Sequence, residues 1–206
     1  MKITLQNIGK KFRNEWIFRN VNLDFLAGES YTFVGPNGSG KSTLLQVILG
    51  ILPQTDGTIL YSEGEKSITI DDIFRKVVIA APYLELVEEF TLAESIEFHQ
   101  KFKPFTQKLS TKEFAEFIHL DKHLDKPVKN FSSGMKQRFK LGMAFHSDVP
   151  IIMLDEPTSN LDAQGIAWYL KNIEEYTSNK LVLICSNLPH EYSFCKQIID
   201  IRDLKS

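Results

Sequence analysis

The stretch "GPNGSGKST", residues 35–43, combines glycines, a lysine and three hydroxyls directly after the apolar run "SYTFV". Glycines let the backbone curl so that its N–H groups point inward at an anion, and the start of the following helix adds the positive end of its dipole. A glycine turn with a surface lysine is the alternative, but the complete G-x-x-x-x-G-K-S pattern in a strand-loop-helix context disfavours it. The sequence therefore predicts a phosphate loop.

The side chains of this phosphate loop have separate expected roles. Lys41 supplies a mobile positive charge for the β- and γ-phosphates of a nucleotide, and Ser42 presents a hydroxyl to Mg²⁺. The residues expected to contact the nucleotide are Gly35, Pro36, Asn37, Gly38, Ser39, Gly40, Lys41, Ser42 and Thr43.

Two adjacent carboxylates end an apolar run in "IIMLDEPTSNLD", residues 151–162. The C-terminal ends of parallel strands line the ligand crevice, so Asp155 is expected to hold a magnesium-bound water while Glu156 reaches toward the γ-phosphate. We expect Glu156 to orient the attacking water and accept its proton. The alternative makes Glu156 an acidic N-terminal charge for the helix that follows.

The stretch "FSSGMKQR", residues 131–138, has hydroxyls and a glycine placed as at the start of a helix. Such a start offers free N–H groups and a dipole to an anion, although the phosphate loop lies far upstream. Ser132 capping its own helix is compatible with the same geometry.

Composition limits the possible partners. The formal net charge of −2 provides no basic field that would attract a polyanion, so no nucleic-acid partner is expected. No window approaches the roughly 18 apolar residues of a membrane span, so any spanning at a membrane is expected from another chain. Cys185 and Cys195 lie in or near apolar runs and are expected to be reduced residues of a cytosolic protein.

Around these stretches, the hydrophobic pattern predicts a single α/β domain over residues 1–206. The runs "KITLQNI", "WIFRNVNLDF" and "GTILY" alternate with period two and predict an antiparallel sheet. The apolar runs "SYTFV", "VVIA", "IIML" and "LVLIC" predict a buried parallel sheet. Two capping boxes, Thr91 with Glu94 and Ser110 with Glu113, predict helices in a helical subdomain at 84–146, leaving 1–83 and 147–206 as the nucleotide-binding core with its antiparallel β subdomain.

Taken together, the chain resembles the ATP-binding subunits of ATP-binding cassette (ABC) transporters over nearly its whole length. "GPNGSGKST" resembles the family's Walker A loop, "IIMLDE" its Walker B strand with a catalytic glutamate, "SNLD" its D-loop and "FSSGMKQR" its signature sequence. The resemblance implies a P-loop NTPase core with ATP and Mg²⁺ as cofactors. It also implies that Ser132 and Gly134 bind the γ-phosphate of ATP held by a second, facing subunit, and that Asp162 of the D-loop belongs to the nucleotide site. Ser133 and Met135 depart mildly from the commonest residues of the signature sequence.

Three further positions are interpreted through this resemblance. Phe12 lies where the family places an aromatic ring that stacks on adenine; Trp16 is a rival ring, and an ordinary core phenylalanine is the alternative. The family's switch histidine is replaced by Asn187, which could donate a hydrogen bond to the γ-phosphate or cap a helix ahead of Pro189. His190 could supply an imidazole instead, but we expect it to lie in the next helix, turned away from the phosphate.

The family's glutamine after the strand "VVIA" is missing. Pro82 or Tyr83 falls at that position, and Glu85 is the nearest polar candidate. The segment "AAPYLELVEEF" is expected to face the membrane permease that such a subunit drives.

The predicted function is that of an ATPase subunit that dimerises around ATP with an identical or different cassette and drives an integral membrane permease. Its expected location is the cytoplasm, peripheral on the inner face of the cell membrane. Two alternatives remain, a regulatory ATP-binding module without a transport role and a small-molecule P-loop kinase.

Overall fold

The computed structural model describes residues 1–204. Its strands are β1 (Lys2–Phe12), β2 (Glu15–Leu26), β3 (Ser30–Val34), β4 (Asp56–Glu63), β5 (Lys66–Ile68), β6 (Val77–Ala80), β7 (Ile151–Asp155), β8 (Leu181–Cys185) and β9 (Gln197–Asp200). Its α-helices are α1 (Lys41–Ile48), α2 (Ile70–Ile73), α3 (Leu92–Phe102), α4 (Thr111–Phe117), α5 (Ser133–His146) and α6 (Ala163–Thr177). Short 3₁₀ helices lie at Asp121–His123, Val128–Asn130, Pro189–Glu191 and Ile201–Leu204.

The three period-two runs form β1, β2 and β4 of a four-stranded antiparallel sheet in the order β2-β1-β4-β5, and the three-residue strand β5 was not predicted. Ile3 and Leu5 point to the buried face of β1, because alternate side chains of a strand lie on opposite faces. The same core contains Phe25 and Phe33, whose rings meet edge to face at 6.0 Å. This sheet is therefore packed on the side of the domain that carries β3 and the phosphate loop.

The apolar runs form a parallel sheet in the order β6-β7-β8-β3-β9. Every residue of β7 and of β8 is buried, as expected for strands covered on both faces. Asp155 pairs in register with Cys185, and Phe33 of β3 pairs with the same Cys185. The chain segments that follow β3, β7 and β8 thus leave the sheet at one edge, which brings the predicted chemical residues together.

Strand β9 was not predicted. It is a four-residue edge strand, and its Ile198 is 62% exposed. The sequence "CKQIID" has too few apolar residues to separate a short edge strand from a loop. The pairing with β3 supplies backbone hydrogen bonds that no local pattern indicates.

Both predicted capping boxes are present. Thr91 Oγ1 accepts the Glu94 N–H at 3.2 Å while Glu94 Oε2 accepts the Thr91 N–H at 2.8 Å. Ser110 and Glu113 repeat the arrangement at the start of α4. Helices α3, α4 and α5 pack against the parallel sheet through one continuous apolar core, which includes Phe114, Phe139 and Ile152.

Within residues 1–204, no helix is long and apolar enough to cross a membrane. Cys185 is buried and Cys195 partly buried, and neither forms a disulfide. The division of the chain at residues 84 and 146 stays a prediction.

Candidate nucleotide site

The phosphate loop connects β3 to α1 through three glycines in left-handed or related conformations. Their φ angles are 142° at Gly35, 76° at Gly38 and 110° at Gly40, values that L side chains rarely adopt. A Cβ atom on Gly40 would also lie 2.4 Å from the side chain of Ile17. Gly40 is the N-cap of α1 and offers no side chain to its first-turn amides, so these N–H groups are left free for an anion.

Lys41 is folded back across this loop. Its side chain is almost fully buried, and Nζ donates to the carbonyl oxygens of Gly35 at 2.6 Å and of Pro36 at 3.2 Å. The hydroxyl of Ser39 is also buried and has no hydrogen-bond partner among the described residues. A cationic loop with an unused hydroxyl is suited to phosphate oxygens, which accept hydrogen bonds from both.

Asp155 lies at the end of β7, 3% exposed. Burial raises the pKa of its carboxyl above the usual value, while a hydrogen bond from Ser42 and the charge of Lys41 act in the opposite direction. A carboxylate beside a hydroxyl provides two hard oxygen ligands. Mg²⁺ prefers such ligands and usually keeps phosphate oxygens and water in its remaining positions, so these residues fit the ion.

Glu156 is exposed and adopts a left-handed backbone conformation with φ of 45°. Its N–H donates to the Cys185 carbonyl at 2.9 Å. Its side chain lines a cavity of about 190 Å³ together with Lys41 and Ser42. Helix α6 begins only at Ala163, so Glu156 lies outside its first turn and cannot serve as its N-terminal charge.

Asn187 lies against the phosphate loop. Its Oδ1 accepts the Gly35 N–H at 3.2 Å, and its Nδ2 donates to Asn37 Oδ1 at 3.0 Å. The 3₁₀ helix that follows has Leu188 at its N-cap, so Asn187 does not cap it. His190 lies in that 3₁₀ helix, and its Nε2 is 3.2 Å from Thr158 Oγ1 rather than at the loop. The position beside the phosphate loop is therefore occupied by the asparagine.

The predicted signature residues line a different cavity of about 480 Å³, which Ser132, Gly134 and Asp162 share. Ser132 Oγ accepts the Met135 N–H at 3.2 Å and so caps α5, as its alternative interpretation stated. This bond leaves the hydroxyl hydrogen of Ser132 available to an external acceptor. A Cβ on Gly134 would lie 2.8 Å from the Asn160 carbonyl oxygen. A larger residue here would therefore clash within the chain, whether or not Gly134 binds phosphate.

Asp162 caps the next helix. Its Oδ1 accepts the Gly165 N–H at 2.7 Å and also binds Arg138 Nη2 at 2.8 Å. The ion pair holds the start of α6 against α5, and both of its residues line the second cavity. The residues predicted to bind nucleotide thus form two groups, one around the phosphate loop and one around the start of α5.

Phe12 is 46% exposed at the end of β1, which excludes the interpretation as a core phenylalanine. The Lys10 ammonium lies 5.0 Å from its ring centroid. Trp16 is half-buried and packs against Gly9, and the Arg19 guanidinium lies 4.8 Å from its ring. Phe12 therefore has the more open ring face for stacking on a base.

Lys140, which no sequence pattern indicated, contacts the segment that follows β6, where the family's glutamine is missing. This α5 residue is 6% exposed, and its Nζ donates to the carbonyl oxygens of Ala81 at 2.9 Å and Pro82 at 3.4 Å. Tyr83 is next along the chain; burial raises the pKa of its hydroxyl to about 12, and its contact with Gln46 of α1 acts in the opposite direction. A lysine on an amphipathic helix is normally solvent-exposed, so its sequence position carried no signal.

Comparisons with known proteins agree with this geometry. The ABC transporter family profile matches residues 18–159. The chain is 32% identical over 190 residues to the lantibiotic transport ATP-binding protein SrtF of Streptococcus pyogenes, covering 90% of this chain and 79% of the relative. It is 33% identical over 167 residues to a maltose/maltodextrin import ATP-binding protein of Photorhabdus laumondii, covering 78% and 44%.

Solved structures share the fold. An ABC transporter ATP-binding protein from Pyrococcus furiosus superposes with a TM-score of 0.81 at 20% identity, and all of both chains is covered. A dimeric ATP-binding cassette in a post-hydrolysis state, bound to ADP and Pi, superposes with a TM-score of 0.81 at 23% identity over 96% of this chain and 93% of that one.

Proposed function

Because the chain belongs to the ABC transporter family of ATPases, we propose that it closes with a second ATP-binding subunit around ATP and drives a separate membrane permease. The family membership and the α/β architecture predicted from the sequence are confirmed. The roles of single residues, the ion and the partners belong to the proposal.

One observation carries the need for a second subunit. Lys41 and Ser132 line two separate cavities of the same chain, so the start of α5 does not face the phosphates held by its own loop. A facing copy, identical or not, would place its Ser132 and Gly134 opposite the nucleotide. The free hydroxyl hydrogen of Ser132 and the amides of the first turn of α5 would then donate to the γ-phosphate.

At the phosphate loop, the free first-turn amides of α1 and the Lys41 ammonium hold the β- and γ-phosphates. Ser42 and Asp155 would hold Mg²⁺, which neutralises phosphate charge when bound. Phe12 offers its exposed ring to the adenine. Asp162 would act at this interface by holding the start of α6 beside the start of α5.

Glu156 is the proposed general base. It is exposed in the cavity that holds Lys41 and Ser42, where it can orient a water and take its proton. Asn187 fixes the position of the γ-phosphate with its amide but cannot exchange a proton near neutral pH. Hydrolysis removes the γ-phosphate that both subunits hold, which lets the pair reopen.

The segment 82–89 is the proposed permease contact. It borders an open cavity of about 550 Å³ with Lys136 and Lys140 of α5, so a chain seated there would touch the helix that Ser132 caps. This contact would hold the subunit at the cytoplasmic face of the membrane, without any membrane span in residues 1–204.

The proposal is tested by Glu156→Gln, which keeps the shape of the side chain and removes the base. With ATP and magnesium, the variant is expected to bind nucleotide normally, to stop turnover and to accumulate as a dimer in light scattering, whereas the wild type hydrolyses ATP. Lys41→Ala in the same background is the control, and it should stay monomeric because the nucleotide is lost.

A Glu156→Gln variant that stays monomeric at every ATP concentration, even with membranes containing its permease, would exclude the closed pair. A wild-type protein that binds ATP without turnover would instead indicate the regulatory module. ATP-dependent phosphorylation of a small molecule would indicate the kinase, although Arg138, the single arginine of residues 84–146, is engaged with Asp162.

A further inference from the structure

Glu191 is a buried carboxylate that the mechanism above does not use. It ends the 3₁₀ helix Pro189–Glu191 and is 1% exposed. Oε1 accepts the Thr158 N–H at 2.7 Å and the Thr158 hydroxyl, while Oε2 accepts the Ser186 hydroxyl. All three donors are neutral. Burying a carboxylate without a cation costs free energy, so the position needs a reason beyond filling space.

One side of Glu191 holds the turn that presents Asn187. Ser186 donates its hydroxyl to Glu191, and the same oxygen accepts the Leu188 N–H at 2.9 Å. These two bonds fix the residues immediately before and after Asn187. Its side chain is thereby directed at the phosphate loop, where it contacts Gly35 and Asn37.

The other side of Glu191 holds the turn that presents Glu156. Thr158, bound twice by Oε1, lies two residues after Glu156, whose φ of 45° is costly for a residue with a Cβ. The intervening Pro157 is fixed as well, since its carbonyl accepts Gln137 Nε2 at 2.7 Å. A left-handed glutamate persists only where its surroundings impose it, and Glu191 supplies part of that constraint.

We propose that Glu191 is a positioning residue that joins the turn after β7 to the turn after β8, so that Glu156 and Asn187 act on the same γ-phosphate. The proposal rests on the proposed function for the roles of these two residues. Glu191 itself contacts neither the nucleotide loop nor the cavity beside Lys41. Its contribution would be geometric, through two turns of neighbouring parallel strands.

A double-mutant cycle between Glu191→Gln and Asn187→Ala tests this connection. Glutamine keeps the shape but turns an NH₂ group toward one of the three donors. In the wild-type background we expect kcat to fall about tenfold with ATP affinity changed less than about twofold, because the phosphate loop is intact. In the Asn187→Ala background, where the side-chain amide at the phosphate loop is already removed, Glu191→Gln should lower kcat less than about threefold further. An equal fold-change in both backgrounds overturns the proposal.

Thr177→Val is the matched control for loss of a buried hydrogen bond. The Thr177 hydroxyl donates to the Ile173 carbonyl within α6, away from both turns. The Thr177→Val substitution should lower thermal stability without changing kcat. Where Glu191→Gln does not fold, Ser186→Ala removes only the bond from Glu191 to the turn that carries Asn187. It should show the same non-additivity with Asn187→Ala.

A readout without turnover separates this inference from the proposed function. In the nucleotide-free protein, the side-chain amide of Asn187 should give a distinct NMR signal protected from solvent exchange, since it is held against Asn37. Glu191→Gln should move this signal and speed its exchange, whereas Thr177→Val should leave it in place. An unchanged Asn187 signal in Glu191→Gln contradicts the inference even if the wild type proves unable to hydrolyse ATP.

Discussion

The chain has two helix starts suited to phosphate, at α1 and at α5, and they are built differently. Helix α1 begins after a left-handed Gly40 that offers no side-chain cap. Helix α5 begins after Ser132 in extended conformation, and its hydroxyl accepts the Met135 N–H. The first start leaves its amides without an internal acceptor, and the second is already partly satisfied within the chain.

This difference indicates how each start depends on a ligand. Around α1, the buried Lys41 ammonium has only carbonyl partners, and the Ser39 hydroxyl has none among the described residues. Around α5, capping and the ion pair between Arg138 and Asp162 complete the structure without a ligand. In the proposed pair, the start of α1 would therefore hold nucleotide within a single subunit, and the start of α5 would bind the nucleotide held by the partner.

The largest effect is expected from removing the charge at the first start. Lys41→Ala should weaken ATP binding by the monomer by about two orders of magnitude, because a charge-assisted hydrogen bond to phosphate is lost. Ser132→Ala should change monomer affinity less than about twofold but should reduce the ATP-dependent dimer of the Glu156→Gln background. Calorimetry measures the first quantity and light scattering the second.

Two controls separate the cap from the contact with phosphate. Ser132→Asp keeps a good cap and adds negative charge, so it should retain stability and still lose the dimer. Ser110→Ala removes the equivalent cap of α4 and should leave dimerisation unchanged. Loss of monomer ATP affinity in Ser132→Ala would show that the two starts are not separate.

A smaller effect is expected at the contacts that lie between the two helices, around residues 81–83. Lys140 joins α5 to the carbonyls of Ala81 and Pro82, beside Tyr83 and its contact with α1. Lys140→Met should preserve monomer ATP affinity and lower the dimer association constant of Glu156→Gln by about tenfold, the scale of one charged hydrogen bond. Native-state hydrogen exchange at the amides of 83–89 should become faster.

Lys136→Met is the control for this prediction, since it lies one turn earlier on the same helix. Lys136 forms an exposed ion pair with Glu88 at 2.6 Å, and such pairs contribute little. If both variants weaken the dimer equally, the buried bonds of Lys140 have no special role in the connection.

An effect that does not depend on nucleotide is expected at the far end of α5, under acid. His146 is buried among Phe117 and Tyr176, and this burial, followed by the charge of Lys180, lowers its pKa to about 4. Its unfolded pKa is higher, so the unfolded chain takes up a proton first and stability is lost as the pH falls from about 6.5 toward about 4. Denaturant titration at about pH 7 and about pH 5 should show a loss on the order of 2 kcal/mol from this residue.

His146→Leu should flatten this pH dependence. His99, whose pKa burial also lowers to about 4, contributes a parallel loss in the wild type and in His146→Leu. If the free energy of unfolding depends on pH in the same way in His146→Leu and in the wild type, the burial of this imidazole does not affect stability.

Short-range features of the molecule were predictable. The phosphate loop, both capping boxes and the buried strands each depend on residues a few positions apart, so spacing alone identified them. The edge strands β5 and β9 and the four-residue helix α2 were missed. The two strands exist because β4 and β3 accept their backbone groups, and α2 is too short to show a helical period.

The sequence by itself determined the family, the order of the main strands and helices and the residue types at both helix starts. Only the tertiary structure decided that Lys140 binds the carbonyls of Ala81 and Pro82 and that Glu191 joins two turns. The physical reason is that parallel neighbours in this sheet are far apart in the chain. Contacts between the segments after β7 and β8 depend on register and on burial of single polar groups, and no local spacing records either of these.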